Sequence, residues 1–179
     1  MLFRSLSKQE CSVTTAVYLG QIGEALDYEL LYKLAQEDIL LIFIGPIADP
    51  RFNSLLRFKN VIWTGEQKQK KAAYLLRLAD VGIVPFVSTP LTVHLNANKI
   101  YEYMACELPV VATNVFTPRN GLDKLVYMAE TDEHFITFVK YPLSKNKAYS
   151  DFALSNSWDV KAAEYVELIN TVTSTPLPI

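Results

Sequence analysis

The sequence predicts an α/β domain: a doubly wound parallel sheet of about six strands flanked by helices. Three observations predict it. Short apolar runs alternate with longer amphipathic stretches. The runs are continuous rather than alternating with polar residues, as in strands buried on both faces. Most of them stop at Gly or Pro. With 179 residues, 50% of them hydrophobic, the chain has material for one core. A domain of about 150 residues buries roughly two-thirds of its unfolded surface.

The runs are Thr15–Leu19, stopped by Gly20; Ile39–Ile44, stopped by Gly45-Pro46; Val61–Trp63, stopped by Gly65; Val81–Val84, stopped by Pro85; Val110–Ala112, preceded by Pro109; and Leu125–Met128. Between them, Asp27–Gln36 places Leu30, Leu31 and Leu34 at helical spacing behind Asp27, a capping residue type. Lys70–Leu78 turns Leu75, Leu78 and Ala79 to one side. Asn98–Cys106 sets Ile100 and Met104 on one face, and Lys99, Glu102 and Tyr103 on another. Thr131–Val139 and Val160–Val172 complete the helices, with Phe135, Phe138 and Tyr141 expected in the core and Trp158 expected to anchor the last helix. Residues 1–12 read as a polar linker or lead-in, 13–173 as the domain, and 174–179 as the end of a frayed Thr- and Pro-rich tail that begins at Thr171.

Charge and cysteine content exclude several classes. Lys and Arg total 17 against 19 acidic residues, a formal net charge of −2, so no basic excess advertises a nucleic-acid partner. Cys11 and Cys106 make neither a metal spacing nor a disulfide framework, and Cys106 reads as a packed thiol. A reduced, cytoplasmic setting is expected. No apolar run approaches the roughly 18–20 residues of a membrane helix, and Met1–Glu10 lacks the apolar stretch of a signal peptide. His134 has no second His or Cys nearby, so no metal is expected there. Lys68-Gln69-Lys70-Lys71 reads as a solvated helix start.

In doubly wound sheets ligands bind beyond the carboxyl ends of the strands. That directs attention to the loops Gly20–Leu26, Gly45–Pro50, Pro85–Asn98 and Thr113–Gly121. An Asn near the start of the helix, such as Asn96, would cap it and leave backbone N–H groups and the helix dipole facing an anion. Lys99 lies in the first turn, and Glu102 follows on the same face. Phosphate at the helix start and ribose hydroxyls on the carboxylate make a coherent nucleotide site. The same spacing equally describes an exposed i,i+3 ion pair, worth a few tenths of a kcal/mol.

The stretch Asn98-Lys99-Ile100-Tyr101-Glu102-Tyr103-Met104-Ala105-Cys106-Glu107-Leu108-Pro109-Val110-Val111 resembles the donor-site signature of GT-B glycosyltransferases of the group-one, family-four type. Other pieces match in order: Tyr18-Leu19-Gly20-Gln21-Ile22, Phe43-Ile44-Gly45-Pro46, Asn60-Val61 through Gly65, Ala79-Asp80-Val81-Gly82-Ile83-Val84-Pro85-Phe86, and Ser157-Trp158-Asp159. The resemblance spans about residues 15–170 and corresponds to the C-terminal, Rossmann-like, donor-binding domain of such enzymes.

The resemblance implies a nucleoside diphosphate sugar, UDP- or GDP-linked, as donor, with no cofactor and no essential metal. It implies Glu102 for the ribose, Lys99 and Asn98 at the helix start for the diphosphate, the Gly20-Gln21 loop against the diphosphate, and Gly45-Pro46 near the base. Thr92 and His94 fall in the donor loop. The chain departs from the pattern at His94, where many relatives carry a sugar-contacting Glu, at Ala97 for Pro, and at Glu107 for Gly. Glu24 and Asp27 stand where many relatives carry diphosphate cations. No catalytic residue is assigned. The acceptor, a glycan or lipid-linked glycan, would bind an N-terminal GT-B domain supplied in cis or trans. The chain alone would not transfer sugar, since transfer needs both substrates in register. The full enzyme would make polysaccharide or cell-surface glycan, peripherally at the inner membrane face. The face turned to the other domain would be open to self-association. The alternatives are a non-catalytic interaction module of the same fold and part of a sugar-nucleotide epimerase.

Overall fold

A computed structural model describes residues 13–94, 98–117 and 121–174. Six parallel strands form one sheet: β1 (Thr14–Leu19), β2 (Ile39–Ile44), β3 (Val61–Trp63), β4 (Val81–Val84), β5 (Val110–Thr113) and β6 (Val126–Ala129). Their order is β3-β2-β1-β4-β5-β6. β1 therefore sits beside β4, and the winding reverses between them, which opens a crevice at their carboxyl ends. The helices are α1 (Tyr28–Ala35), α2 (Phe52–Leu55), α3 (Gln69–Leu78), α4 (Lys99–Ala105), α5 (Asp132–Lys140), α6 (Lys147–Ser155) and α7 (Trp158–Ser174).

The core follows the apolar runs. Ala16, Val17, Leu41, Phe43, Ile83, Val84, Val110 and Val111 are all at most 1% exposed, as central strands covered on both faces must be. On one face α1 packs against α5, joined at the surface by Lys33–Asp132 at 2.7 Å. On the other, α4 packs against α6 and reaches α3, where the Cys106 thiol lies 3.8 Å from the Ala73 carbonyl. Asp27 caps α1, accepting from the Leu30 N–H at 3.0 Å.

The structure corrects the sequence reading in several places. Helices α2 and α6 were not anticipated. In α3 the buried residues are Ala72 and Leu76, and Leu78 is 59% exposed; the inward face is rotated from the expected one. In α4, Tyr103 joins Ile100 and Met104 on the buried face. Phe135 is buried, but Tyr141 lies beyond the last turn of α5 and is exposed. Trp158 is 82% exposed and so does not anchor the last helix against the described residues. Helix α7 continues through the expected fraying point to Ser174. The lead-in 1–12, the cap at Asn96, the departure at Ala97 and residues 175–179 lie outside the described residues.

Candidate functional site

The crevice between β1 and β4 is built by contacts distant in sequence. Tyr103, on α4, lies against Gly82, where an added Cβ would fall 2.5 Å from its ring. Its hydroxyl accepts from the Leu19 N–H at 2.8 Å and donates to the Ile83 carbonyl at 3.2 Å. It thereby ties the ends of β1 and β4 to the helix. The two flanking loops are joined by backbone bonds, Asp27 N–H to Pro85 O at 2.8 Å and Val87 N–H to Ala25 O at 3.0 Å. These hold Phe86 beside the Gly20 loop.

Lys99 projects into this crevice. Its ammonium donates to the Tyr18 hydroxyl at 2.9 Å and lies 4.4 Å from the Tyr18 ring centre and 4.5 Å from that of Phe86. Both rings are close enough for cation–π attraction. The Tyr18 hydroxyl in turn donates to the Gln21 carbonyl at 2.9 Å. Burial pushes the Lys99 ammonium down to about 8, against a smaller upward pull from Glu102. An ammonium has three donors, and Tyr18 takes one of them. No ion pair among the described residues joins Lys99 to Glu102, so the pair does not form the surface bridge that its spacing allows.

Gly20 lets the chain pass under this cation: a Cβ there would stand 3.3 Å from the Lys99 Cε and Nζ, with φ at +132°. Gly45, at φ +141°, abuts Gly20 so closely that a Cβ would meet the Gly20 carbonyl oxygen at 2.1 Å. Gly20 N–H bonds Ile44 O and Ile22 N–H bonds Pro46 O, each at 2.9 Å. The structure therefore brings Lys99, Gly20, Gln21, Gly45 and Pro46 together. Glu102 lies one turn beyond Lys99 with its carboxylate exposed. Asn98 has helical angles and makes no side-chain cap, and α4 has only seven residues, so the helix start adds less than the spacing suggests. Thr92 is fully buried, and its hydroxyl is engaged with Val87, at 2.5 Å, and with Thr89; it holds the loop. His94 is exposed at the end of a short 3₁₀ turn.

The sequence reading did not single out Tyr18, Phe86 or Trp63 as site residues. Trp63 ends β3 and donates its indole N–H to the Gly45 carbonyl at 2.9 Å. Tyr18 and Trp63 read as apolar members of strand runs, and Phe86 as part of the loop after Pro85. Only the strand order places them along the carboxyl edge. Arg51 was also missed. It forms a bidentate pair with the buried Asp49 and lies 4.4 Å from the Tyr28 ring centre, near the same edge.

The sheet order and its crevice define a Rossmann-like α/β domain of the kind found in GT-B enzymes. The chain belongs to the group 1 glycosyl transferases, whose family model matches residues 19–141. It is 32% identical over 127 residues to TuaH of Bacillus subtilis strain 168, a protein whose name assigns it to teichuronic acid biosynthesis as a glycosyltransferase; the match covers 68% of this chain and 32% of that protein. Among solved structures, AviGT4, a glycosyltransferase involved in avilamycin A biosynthesis, superposes at TM-score 0.65 with 16% identity, over 91% of this chain and 52% of its own. Sucrose-phosphate synthase of Thermosynechococcus elongatus superposes at TM-score 0.67 with 17% identity, over 90% of this chain and 46% of its own. The structural likenesses establish the fold. The chain spans about a third of the curated relative and about half of each structural one. No helix among the described residues is long and apolar enough to cross a membrane.

Proposed function

We propose that this domain binds the nucleoside diphosphate sugar of a glycosyltransferase at the β1–β4 crevice. One observation carries the reading: an ammonium held between two rings, directly over a glycine loop, at the point where the sheet reverses. Lys99 meets the diphosphate, Gly20 and Gln21 let the backbone approach it, and Glu102 takes the ribose hydroxyls. Gly45 and Pro46 lie toward the base. The donor is UDP- or GDP-linked and the transferred group a hexose, bound without a metal or other cofactor. The acceptor, a glycan or lipid-linked glycan, is held by a second α/β domain in cis or trans, so this chain alone binds donor without transferring it. The pathway is polysaccharide or cell-surface glycan assembly on the cytoplasmic side.

Calorimetry with UDP, GDP and ADP tests the reading. Binding of one nucleotide, weakened about tenfold or more by Glu102→Ala, fits loss of a hydrogen-bonded charge worth about 1.5–3 kcal/mol. No binding at millimolar concentration refutes the site. Unchanged binding in Glu102→Ala refutes the ribose role.

A second reading, an interaction module of the same fold, is favoured by α7, where Trp158 and Tyr165 are 82% and 68% exposed. Sedimentation distinguishes it: concentration-dependent self-association without nucleotide binding supports the module, and a monomer that binds nucleotide refutes it.

A further inference from the structure

Helix α3 contains no acidic residue and three basic ones, Lys70, Lys71 and Arg77, with Lys68 at its N-cap. The Lys145 ammonium donates to the Arg77 carbonyl and adds a fifth cation at its far end. Subtracting these five from the chain's −2 leaves −7 on the rest, so the helix carries a local basic patch on an otherwise net acidic chain. None of the ion pairs among the described residues uses these cations. Of the acidic neighbours in sequence, Asp80 is held to the Thr15 N–H at 2.8 Å, and Glu66 precedes the helix.

The outward stripe of α3 is Lys70, Lys71, Tyr74, Arg77 and Leu78, at i, i+1, i+4, i+7 and i+8, and all five are exposed. Tyr74 is 62% exposed and Leu78 59%. The segment that Lys145 joins to the helix adds Tyr141 and Leu143, at 75% and 55%. Cations interleaved with a tyrosine and leucines suit an anionic lipid surface. Headgroup phosphates meet the ammonium and guanidinium groups, and the apolar side chains leave water at the acyl boundary. A nucleic acid would use the cations and leave the leucines with no partner.

We propose that the outer face of α3, with the 141–145 segment, docks on an anionic membrane surface, the cations against lipid phosphates and Tyr74 and Leu78 seated at the interface. This surface is separate from the β1–β4 crevice and does not depend on the donor reading.

The test is co-sedimentation of the full chain with mixed phosphatidylglycerol–phosphatidylcholine vesicles and with pure phosphatidylcholine vesicles. Wild type is expected to bind the anionic vesicles, more weakly as salt rises, and to leave the neutral ones. Each lysine near the surface contributes about fivefold in partitioning, so Lys70→Glu with Lys71→Glu weakens binding by about 25-fold or more. Tyr74→Ser with Leu78→Ser also weakens it, with an unchanged far-ultraviolet spectrum verifying the fold. Lys59→Glu with Lys124→Glu, an equal charge change at exposed sites outside α3 and the 141–145 segment, leaves binding near wild type. The proposal is overturned if wild type fails to bind anionic vesicles, if it binds both kinds alike, or if the control pair loses as much as the α3 pair. It is also overturned if the Tyr74–Leu78 variant binds vesicles unchanged while single-stranded RNA binds wild type equally well, which makes the patch a general polyanion site.

Discussion

The proposed contact of the Lys99 ammonium with the donor implies a pH dependence of binding that can be worked out beforehand. In the free domain, burial lowers it from the ordinary 10.5 to about 8. A bound diphosphate favours the charged form and raises it again. Donor affinity should therefore be flat below about pH 8 and fall above it. At pH 9 only about a tenth of the free domain carries the charged lysine, so affinity drops roughly tenfold, about 1.4 kcal/mol, relative to pH 7. Lys99→Met should weaken binding at pH 7 and abolish the part of the slope due to Lys99, and any titration of the nucleotide base will remain in both proteins. Fold stability should move the opposite way. Because the folded value is depressed, the unfolded chain binds more protons between about pH 8 and 10.5, and stability rises with pH across that window. The full gap corresponds to at most about 3 kcal/mol, less what the partial exposure of Lys99 screens. The assay is calorimetry of a nucleotide sugar at pH 7 and pH 9 with both proteins, alongside urea melts over the same range. Wild-type affinity that stays level from pH 7 to 9, or an equal slope in Lys99→Met, would refute the assignment.

Two further substitutions test the scaffold. Gly45→Ala drives a Cβ into the Gly20 carbonyl at a left-handed backbone angle; strain and overpacking together should cost about 3–5 kcal/mol. Thermal melts should show a fall of roughly 6–20 °C in Tm, and a loss of under a degree would contradict the packing. Tyr103→Phe leaves the Leu19 N–H without its acceptor. Urea melts should show a loss of about 1–3 kcal/mol, with donor affinity falling too because the end of β1 is released from α4.

The sheet was legible because parallel strands covered on both faces leave uninterrupted apolar runs, and these ended within a residue or so of β1–β6. The order β3-β2-β1-β4-β5-β6 was not legible, because doubly wound sheets of different strand order share the same right-handed crossovers. Helix α6 was missed because only Tyr149 and Ala153 in its nine residues are buried, too few to mark a period. The inward face of α3 was misjudged for a related reason: its apolar residues occupy both sides, and the outward Tyr74 and Leu78 look like core in sequence. For the candidate site, Lys99 and Glu102 were named from their spacing and the motif around them. Their surroundings could not be. Tyr18 is 81 residues from Lys99, and Tyr103 is 84 from Leu19; such pairs exist only after the strands are assembled.

What those surroundings do to Lys99 runs against stability. A methionine between Tyr18 and Phe86 would fill much of the same space without desolvating a charge, and replacing buried charges by apolar residues is often neutral or favourable. The fold instead seats an ammonium there over a glycine loop and, among the described residues, gives it one phenolic acceptor. Local conflicts of this kind are expected where a protein binds something, because the missing partner resolves them. The region after β1 reinforces the point. Arg51 is paired with Asp49, and Asp27, which caps α1, brings a carboxylate rather than a cation. On the proposed reading, neutralising a diphosphate there would fall chiefly to Lys99, whose protonation lies within reach of physiological pH.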